Sequence, residues 1–366
     1  MNKFLKLTFT KFLLILILLF FVLNPIFKTS VKAQDSSHPV PILAYYYIWF
    51  DTGSWNRAKT DYPLLGRYSS DDEEVMLQHI RWAKAAGIDG FIVSWKSTDL
   101  LNRRLEMLAT LSEQEDFKLV VIYQGLDFER DPLPISRIAN DITYFIEEFA
   151  WRPAFSLFSK PVIIWSGTWM FSEEEISQVT TGRRNVLYIL ASERNINRYS
   201  ELQSFIDGNA YYWSSVNPDT FPGYLEKLIK MSETVPETGG LSIAPAAPGF
   251  DARLIGGTTV VERKEGDTFR AQMNTAMASS PDAIGIISWN EFSENSHIEP
   301  SETYNDRYLE VLSQINQLPP PDIGEFDSSE PAKEYLEIIM GSRQLAIAGI
   351  TVLFLASMII IIRRKK

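Results

Sequence analysis

Between residues 41 and 318, short apolar runs alternate with stretches whose apolar residues recur at helical spacing. The runs cover 42–47, 88–95, 118–123, 162–165, 186–191, 210–213, 241–244 and 283–289. Several are apolar without alternation, as expected of strands in a parallel sheet buried on both faces. The stretches between and after them, 71–86, 102–115, 135–151, 172–181, 195–205, 221–233, 267–279 and 305–317, read as amphipathic helices. The first of these opens on Ser70-Asp71-Asp72-Glu73 and stops at Gly87, a capping sequence followed by a C-terminal glycine. Eight strand-like runs alternating with eight helical ones predict a (β/α)8 TIM barrel. A doubly wound open sheet is the alternative, but no Gly-rich phosphate loop follows any of the runs.

The two ends of the chain follow a different pattern. Lys3, Lys6 and Lys11 precede an apolar run over 12–27, and Val31-Lys32-Ala33 supplies a small-residue cleavage site. That is the layout of a signal peptide over 1–33, with an uncleaved anchor as the alternative. Residues 345–362 form 18 nearly uninterrupted apolar positions, enough to cross a bilayer, and Arg363-Arg364-Lys365-Lys366 follows. Positive charge on that flank predicts a cytoplasmic C-terminus. Pro319-Pro320-Pro321 opens a Pro-rich acidic segment that reads as a semi-rigid stalk over 319–342. The expected organisation is a signal segment (1–33), a barrel (34–318), the stalk, and a transmembrane helix with a basic tail (343–366). Such a protein is single-pass in the cell membrane, with its barrel outside the cytoplasm.

Composition narrows the chemistry. The absence of cysteine removes disulfides, thiolate nucleophiles and Cys-ligated metals. The three histidines, His38, His79 and His297, form no HExxH motif, and no G-x-S-x-G elbow accompanies them. Residues 1–33 and 343–366 carry five Lys/Arg each and no acid, so 34–342 holds 25 basic against 46 acidic side chains, a balance of −21. A domain so acidic repels nucleic acid and anionic headgroups, which favours a neutral ligand.

In a barrel of this kind the active site lies at the C-terminal strand ends. Those ends read Tyr45-Tyr46-Tyr47-Ile48-Trp49, Trp95, Tyr123-Gln124, Trp165, Tyr211-Tyr212-Trp213, Asp251 and Trp289-Asn290-Glu291. Aromatic rings stack on the apolar faces of sugars, while amides and carboxylates take up hydroxyls, so this rim suits a neutral oligo- or polysaccharide. Strand alternation is expected to turn Tyr46 and Tyr212 away from the cleft. The rings at strand ends read equally well as core residues. The sharpest feature is Ile287-Ser-Trp-Asn-Glu-Phe-Ser-Glu-Asn-Ser-His-Ile-Glu-Pro300, which places Glu291 and Glu294 just beyond a buried strand. Desolvation there raises a carboxyl pKa, and a second carboxylate splits the pair, as acid/base work on a glycosidic bond requires. Asp51, Asp127, Glu129 and Asp251 are the alternative carboxylates, and Glu299 and Glu302 are expected beyond the site. A divalent cation site would gather more carboxylates than this.

Tyr45-Tyr-Tyr-Ile-Trp49, Gly66-Arg-Tyr-Ser-Ser-Asp-Asp72, Trp82 to Trp95, Pro248-Gly-Phe-Asp251 and the 287–300 stretch resemble glycoside hydrolase family 99, the endo-α-mannosidase and endo-α-mannanase family. The resemblance spans roughly residues 41–318. It implies that Glu291 is the general base on the substrate's own 2-hydroxyl. It implies that Glu294 is the acid/base that protonates the leaving group and then activates water. It also implies retention through a 1,2-anhydro sugar, with no metal or cofactor. Trp95 resembles the tryptophan of the family's sugar pocket, and Tyr45 to Tyr47 include a sugar contact. Tyr45, Tyr47, Trp49, Trp95, Tyr123, Gln124, Tyr211, Trp213, Asp251 and Asn290 are the expected substrate-binding residues. Phe292 stands where the family has a second Trp, and Asn295 where it has Gly. The third strand ends in Gln124 without the acidic sugar-binding residue of the mannosidases. The expected function is a retaining, endo-acting hydrolase of α-linked, mannan-like glycans. The alternatives are a related α-glucan glycosidase and a non-catalytic carbohydrate-binding or envelope protein.

Overall fold

The computed structural model describes residues 40–324 apart from residue 238. The predicted signal segment, most of the stalk and the predicted membrane span lie outside the described residues. Among the described residues no helix is long and apolar enough to cross a membrane.

Eight parallel strands form a nearly closed barrel: β1 (Ile42–Tyr47), β2 (Gly90–Trp95), β3 (Lys118–Gln124), β4 (Val162–Ser166), β5 (Tyr188–Leu190), β6 (Gly208–Ala210), β7 (Leu241–Ala246) and β10 (Ala283–Ile286). Their order is β5-β4-β3-β2-β1-β10-β7-β6, and the parallel bridge Ala191–Asn209 joins the two ends. Helices α1 (Glu73–Ala85), α2 (Asp99–Gln114), α3 (Ile135–Glu148), α4 (Glu173–Thr180), α5 (Ile196–Leu202), α6 (Tyr224–Glu237), α7 (Asp267–Ala278) and α8 (Arg307–Ile315) follow the strands in turn. The first is capped by Asp72, whose carboxylate accepts from the Glu74 and Val75 amides, so acid at the positive helix end both closes orphan donors and meets the dipole. A short antiparallel ribbon, β8 (Phe250–Asp251) with β9 (Val260–Val261), is inserted after β7. The repeating strand and helix periods do not announce it, because each arm is only two residues long.

Alternation along each strand sorts side chains between two cores. Leu43, Tyr45, Ile92, Val120, Ile122, Ile164, Leu190, Ala210, Ile243 and Ile287 fill the barrel interior. Ala44, Tyr46, Phe91, Val93, Trp95, Val121, Tyr123, Ile163 and Trp165 belong to the larger layer outside it, packed against the helices. Gly285 faces inward, where a Cβ would stand 3.0 Å from a ring carbon of Tyr45. This close approach lets one tyrosine ring plug the barrel beneath its C-terminal mouth.

Candidate active site

Beyond β10 the chain makes a compact loop over residues 288–299 that returns onto its own start. The Ser288 amide donates to the Ser296 carbonyl (2.7 Å), and the Ile298 amide donates back to Ser288 (2.9 Å). Trp289 donates to the Tyr45 carbonyl at 2.7 Å, tying the loop to β1. Within it the Glu291 amide is held by the Ser288 hydroxyl (2.8 Å), and a Glu291 carboxylate oxygen accepts from the Ser293 amide (3.0 Å). Asn295 adopts φ 49°, the left-handed conformation that Asn tolerates better than other side chains. The turn therefore forms without glycine.

Both glutamates are desolvated. Burial raises the Glu291 carboxyl above its usual range, opposed by its hydrogen bonds to Ser293 and by the Lys59 ammonium. Burial, reinforced by the Glu291 charge and opposed by Arg130, pushes Glu294 up to about 7. Burial thus favours the protonated form of both carboxyls, and the charge of Glu291 adds to that preference at Glu294.

Tyr47 and Tyr212 form the wall beside them. Their hydroxyls are 3.0 Å apart, and Tyr212 meets the Tyr45 ring edge-on at 4.9 Å. Burial, the neighbouring phenol and both glutamates raise the Tyr47 pKa, and burial and Glu294 do the same to Tyr212. Both phenols stay protonated and remain O–H donors. Trp49, 44% exposed, stacks on Tyr47 with centroids 4.3 Å apart and offers an open ring face at the mouth.

The expected binding residues divide by strand alternation. Tyr45, Tyr47 and Gln124 point into the barrel, the last donating to the Ser94 hydroxyl at 3.2 Å. Trp95 and Tyr123 do not: they face the helices, with Trp95 Nε1 donating to Asn102 (3.0 Å) and Tyr123 donating to Asp141 (3.0 Å). Tyr211 and Trp213 also pack in the outer layer, the Trp213 ring lying 4.9 Å beneath the Lys227 ammonium. Tyr212, expected to turn away, faces inward instead, because in a run of three aromatics parity decides which one enters the cleft. Asn290 is fully buried and spends its amide on the Tyr47 backbone, accepting from its N–H (2.8 Å) and donating to its carbonyl (3.0 Å). It splints β1 to the glutamate loop. Asp251 is clamped by Arg253 (2.9 Å), while its amide donates to the Glu294 carbonyl at 2.7 Å. Of the other alternative carboxylates, Asp51 caps a short helix through Ser54 and Asp127 caps the amide of Asp131.

Several supporting residues escaped the sequence reading. Glu299, expected beyond the site, is buried and bonded to His79 (3.0 Å) and to the Tyr68 hydroxyl (2.8 Å). Tyr68 in turn accepts from Asn290, and His79 bonds Tyr46 at 2.9 Å. This chain of hydrogen bonds braces the loop from behind the barrel wall. The helical spacing of His79 with buried Met76, Ile80 and Ala83 is the one sequence signal that placed it inside. Lys59 reaches the site because Thr60 bonds the Phe292 carbonyl through both its amide (3.1 Å) and its hydroxyl (2.6 Å). From the far side Arg263 donates to the Asn295 side chain (3.1 Å) and to the His297 carbonyl (2.8 Å).

Residues 51–317 match the family Glycosyl hydrolase family 99. The chain is 23% identical over 276 residues to a glycoprotein endo-alpha-1,2-mannosidase of Rattus norvegicus, covering 68% of this chain and 59% of that protein. It is 25% identical over 286 residues to a human glycoprotein endo-alpha-1,2-mannosidase-like protein, covering 69% and 60%. The chain thus spans about three fifths of these relatives' length. Among solved structures, the GH99 endo-alpha-mannosidase of Bacteroides thetaiotaomicron superposes with a TM-score of 0.66 at 18% identity, covering 75% of this chain and 96% of that one. A glycoside hydrolase-like protein superposes at 0.56 with 16% identity, covering 75% and 93%. At these identities the structural likeness establishes the fold.

Proposed function

The chain belongs to glycosyl hydrolase family 99, and we propose that it is a retaining, endo-acting hydrolase of α-linked, mannan-like glycans that works by substrate-assisted acid/base catalysis. The observation that carries this reading is the pair of buried glutamates on one braced loop at the barrel mouth, with Glu294 protonated to about pH 7. In the first step Glu291 takes the proton of the 2-hydroxyl as O2 attacks the anomeric carbon. Glu294 gives its proton to the departing glycosidic oxygen as that bond breaks. In the second step Glu294, now a carboxylate, takes a proton from water attacking the same carbon. The C1–O2 bond opens and O2 recovers its proton from Glu291. Two inversions give net retention, and an internal nucleophile saves the entropy of recruiting a separate one. Tyr47 and Tyr212 are hydroxyl donors to the sugar, and Trp49 is a stacking face.

Incubation with α-mannans, α-glucans and N-glycans, followed by NMR of the first product, tests this. Release of an α-anomer from a mannan is expected; a β-anomer would overturn the mechanism. The third strand ends in Gln124 without the acidic sugar-binding residue expected of the mannosidases, which favours the α-glucan reading, and preferential release from α-glucan would select it.

We place the barrel on the outer side of the cell membrane, tethered through residues 343–366. Support comes from the positions of Val40, leading into β1, and of Asn316, bonded to the Ala86 carbonyl (3.0 Å). Both lie at the barrel face opposite the glutamates, so a tether there leaves the cleft open to solvent. Protease added to intact cells should degrade the barrel; full protection would overturn the placement.

A further inference from the structure

Between β3 and α3 the chain closes on itself before entering the helix. The Leu133 amide donates to Gly125 (2.9 Å), Leu126 and Pro132 form an antiparallel bridge, and the Asp127 amide donates to Asp131 (2.9 Å). The turn is locked by the Arg130 amide on the Asp127 carbonyl (3.2 Å) and by the Asp127 carboxylate on the Asp131 amide (2.8 Å). Its base is fixed to β4 by the Gly125 amide on Ser166 (3.1 Å). Leu126 also lies over Gly167, where a Cβ would come within 2.7 Å of its side chain. This is a braced hairpin rather than a loose loop, and it presents Phe128 at its tip, 97% exposed.

A single exposed apolar residue is ordinary, but Phe128 is not placed at random. Trp49, Phe128, Trp169, Met170, Phe221 and Leu254 are all exposed, and all lie in segments that follow strand C-terminal ends. The exposed Trp151, which follows α3, is the exception from the opposite face. The exposed rings therefore gather on the face that carries the glutamates. Arg130, two residues from Phe128, lies within electrostatic reach of Glu294, so the hairpin stands on the same side of the barrel as the glutamates. The Lys96 ammonium stands 5.5 Å from the Phe128 ring centroid, which leaves the other ring face open and a cation beside it.

We propose that the hairpin is a distal sugar platform, on which Phe128 stacks against a pyranose ring of the same glycan, beyond the residues flanking the scissile bond, while Lys96 donates to one of its hydroxyls. This rests on the glycosidase reading and deepens it: the enzyme is built for long chains. A hairpin braced in advance loses little entropy when a sugar docks on it.

The test measures kcat/KM of the full-length protein on α-linked manno-oligosaccharides of increasing length. For the wild type, kcat/KM should rise with length. Phe128→Ala should flatten that rise by about tenfold, the order expected of one lost aromatic contact, and Phe128→Trp should restore it. Wild-type turnover with an unchanged length profile in Phe128→Ala would overturn the platform alone. No turnover by the wild type at any length would overturn the glycosidase reading and the platform with it. Phe128-dependent sedimentation with phosphatidylcholine vesicles, with no length effect, would make the tip a lipid contact and also overturn it.

Discussion

Replacing Glu294 by Gln should lower kcat by about 10²- to 10⁴-fold, the range of one general acid/base group, while making the folded protein more stable at alkaline pH. Both effects have the same origin. Glu294 is pushed from an ordinary 4.5 to about 7 by burial and by the Glu291 charge. Below about pH 7 it carries the proton that the leaving group needs. As pH rises through that value the acid is lost, so wild-type activity should fall on an alkaline limb near 7. The acid limb belongs to Glu291, which must be ionised and whose pKa is also raised by burial.

The stability effect runs the other way. A carboxyl whose folded pKa lies above its unfolded value releases its proton more readily in the unfolded chain. Stability therefore declines as pH rises from about 4.5 to about 7. That gap corresponds to at most about 3 kcal/mol. Gln cannot ionise, so Glu294→Gln should melt higher than the wild type at pH 8 and alongside it at pH 4. Undiminished turnover would remove Glu294 from the chemistry. Equal melting at both pH values would show that its carboxylate is not desolvated. The site thus trades stability for function, as desolvated catalytic groups do.

How far the sequence disclosed this depends on the kind of signal. The barrel was legible because burial on both faces makes each strand a continuous apolar run, and because helical spacing filled every gap. The glutamates were legible because they stand immediately after such a run. Which aromatics enter the cleft was not, for the same reason that the strands were easy to find. A strand apolar on both faces carries no mark of which face is inside. Trp95 and Tyr123 therefore looked like cleft residues and proved to be packing against α2 and α3, while Tyr212 looked like packing and proved to line the cleft. Phe292 fits in the second Trp position because its ring stacks on His297 at 4.2 Å and meets Trp55 edge-on at 5.6 Å, so shape rather than indole chemistry is what the place requires. Arg263 gave no local signal at all: it comes from the ribbon insertion, and its partners are 32 and 34 residues away.

Arg263→Met is expected to destabilise the protein by about 3–5 kcal/mol, the cost of breaking a buried charged network by removing one partner, and to lower kcat more than it raises KM. Arg263 is 6% exposed, sits 4.3 Å and 4.4 Å from the Tyr304 and Tyr308 ring centroids, and holds both the Asn295 carbonyl (3.0 Å) and the His297 carbonyl (2.8 Å). Asn295 follows Glu294 directly and His297 lies three residues on, so freeing them lets the acid drift while leaving the sugar-binding rings in place. Arg263→Lys separates the roles. It restores the charge but not the planar fork that serves several acceptors at fixed angles, so it should recover melting temperature more than kcat. A pH signature distinguishes this from a simple packing defect. His297 is driven down to about 4 by burial and by the Arg263 charge, opposed by Asp61, which lies 3.3 Å from its ring nitrogen. The unfolded histidine takes up its proton near 6.5 and the folded one only near 4, so wild-type stability falls as pH drops through that window. Burial works against the Asp61 charge, yet hydrogen bonds from His297, Ser301 and Thr303 bring its carboxyl down to about 2, so it stays ionised throughout. Without Arg263, His297 faces that carboxylate with no opposing cation and can accept a proton while folded. The variant's stability should therefore depend less steeply on pH between 7 and 5 than the wild type's. A parallel loss at every pH would reduce Arg263 to a packing residue, because its charge is what couples the ribbon insertion to the proton affinity of His297.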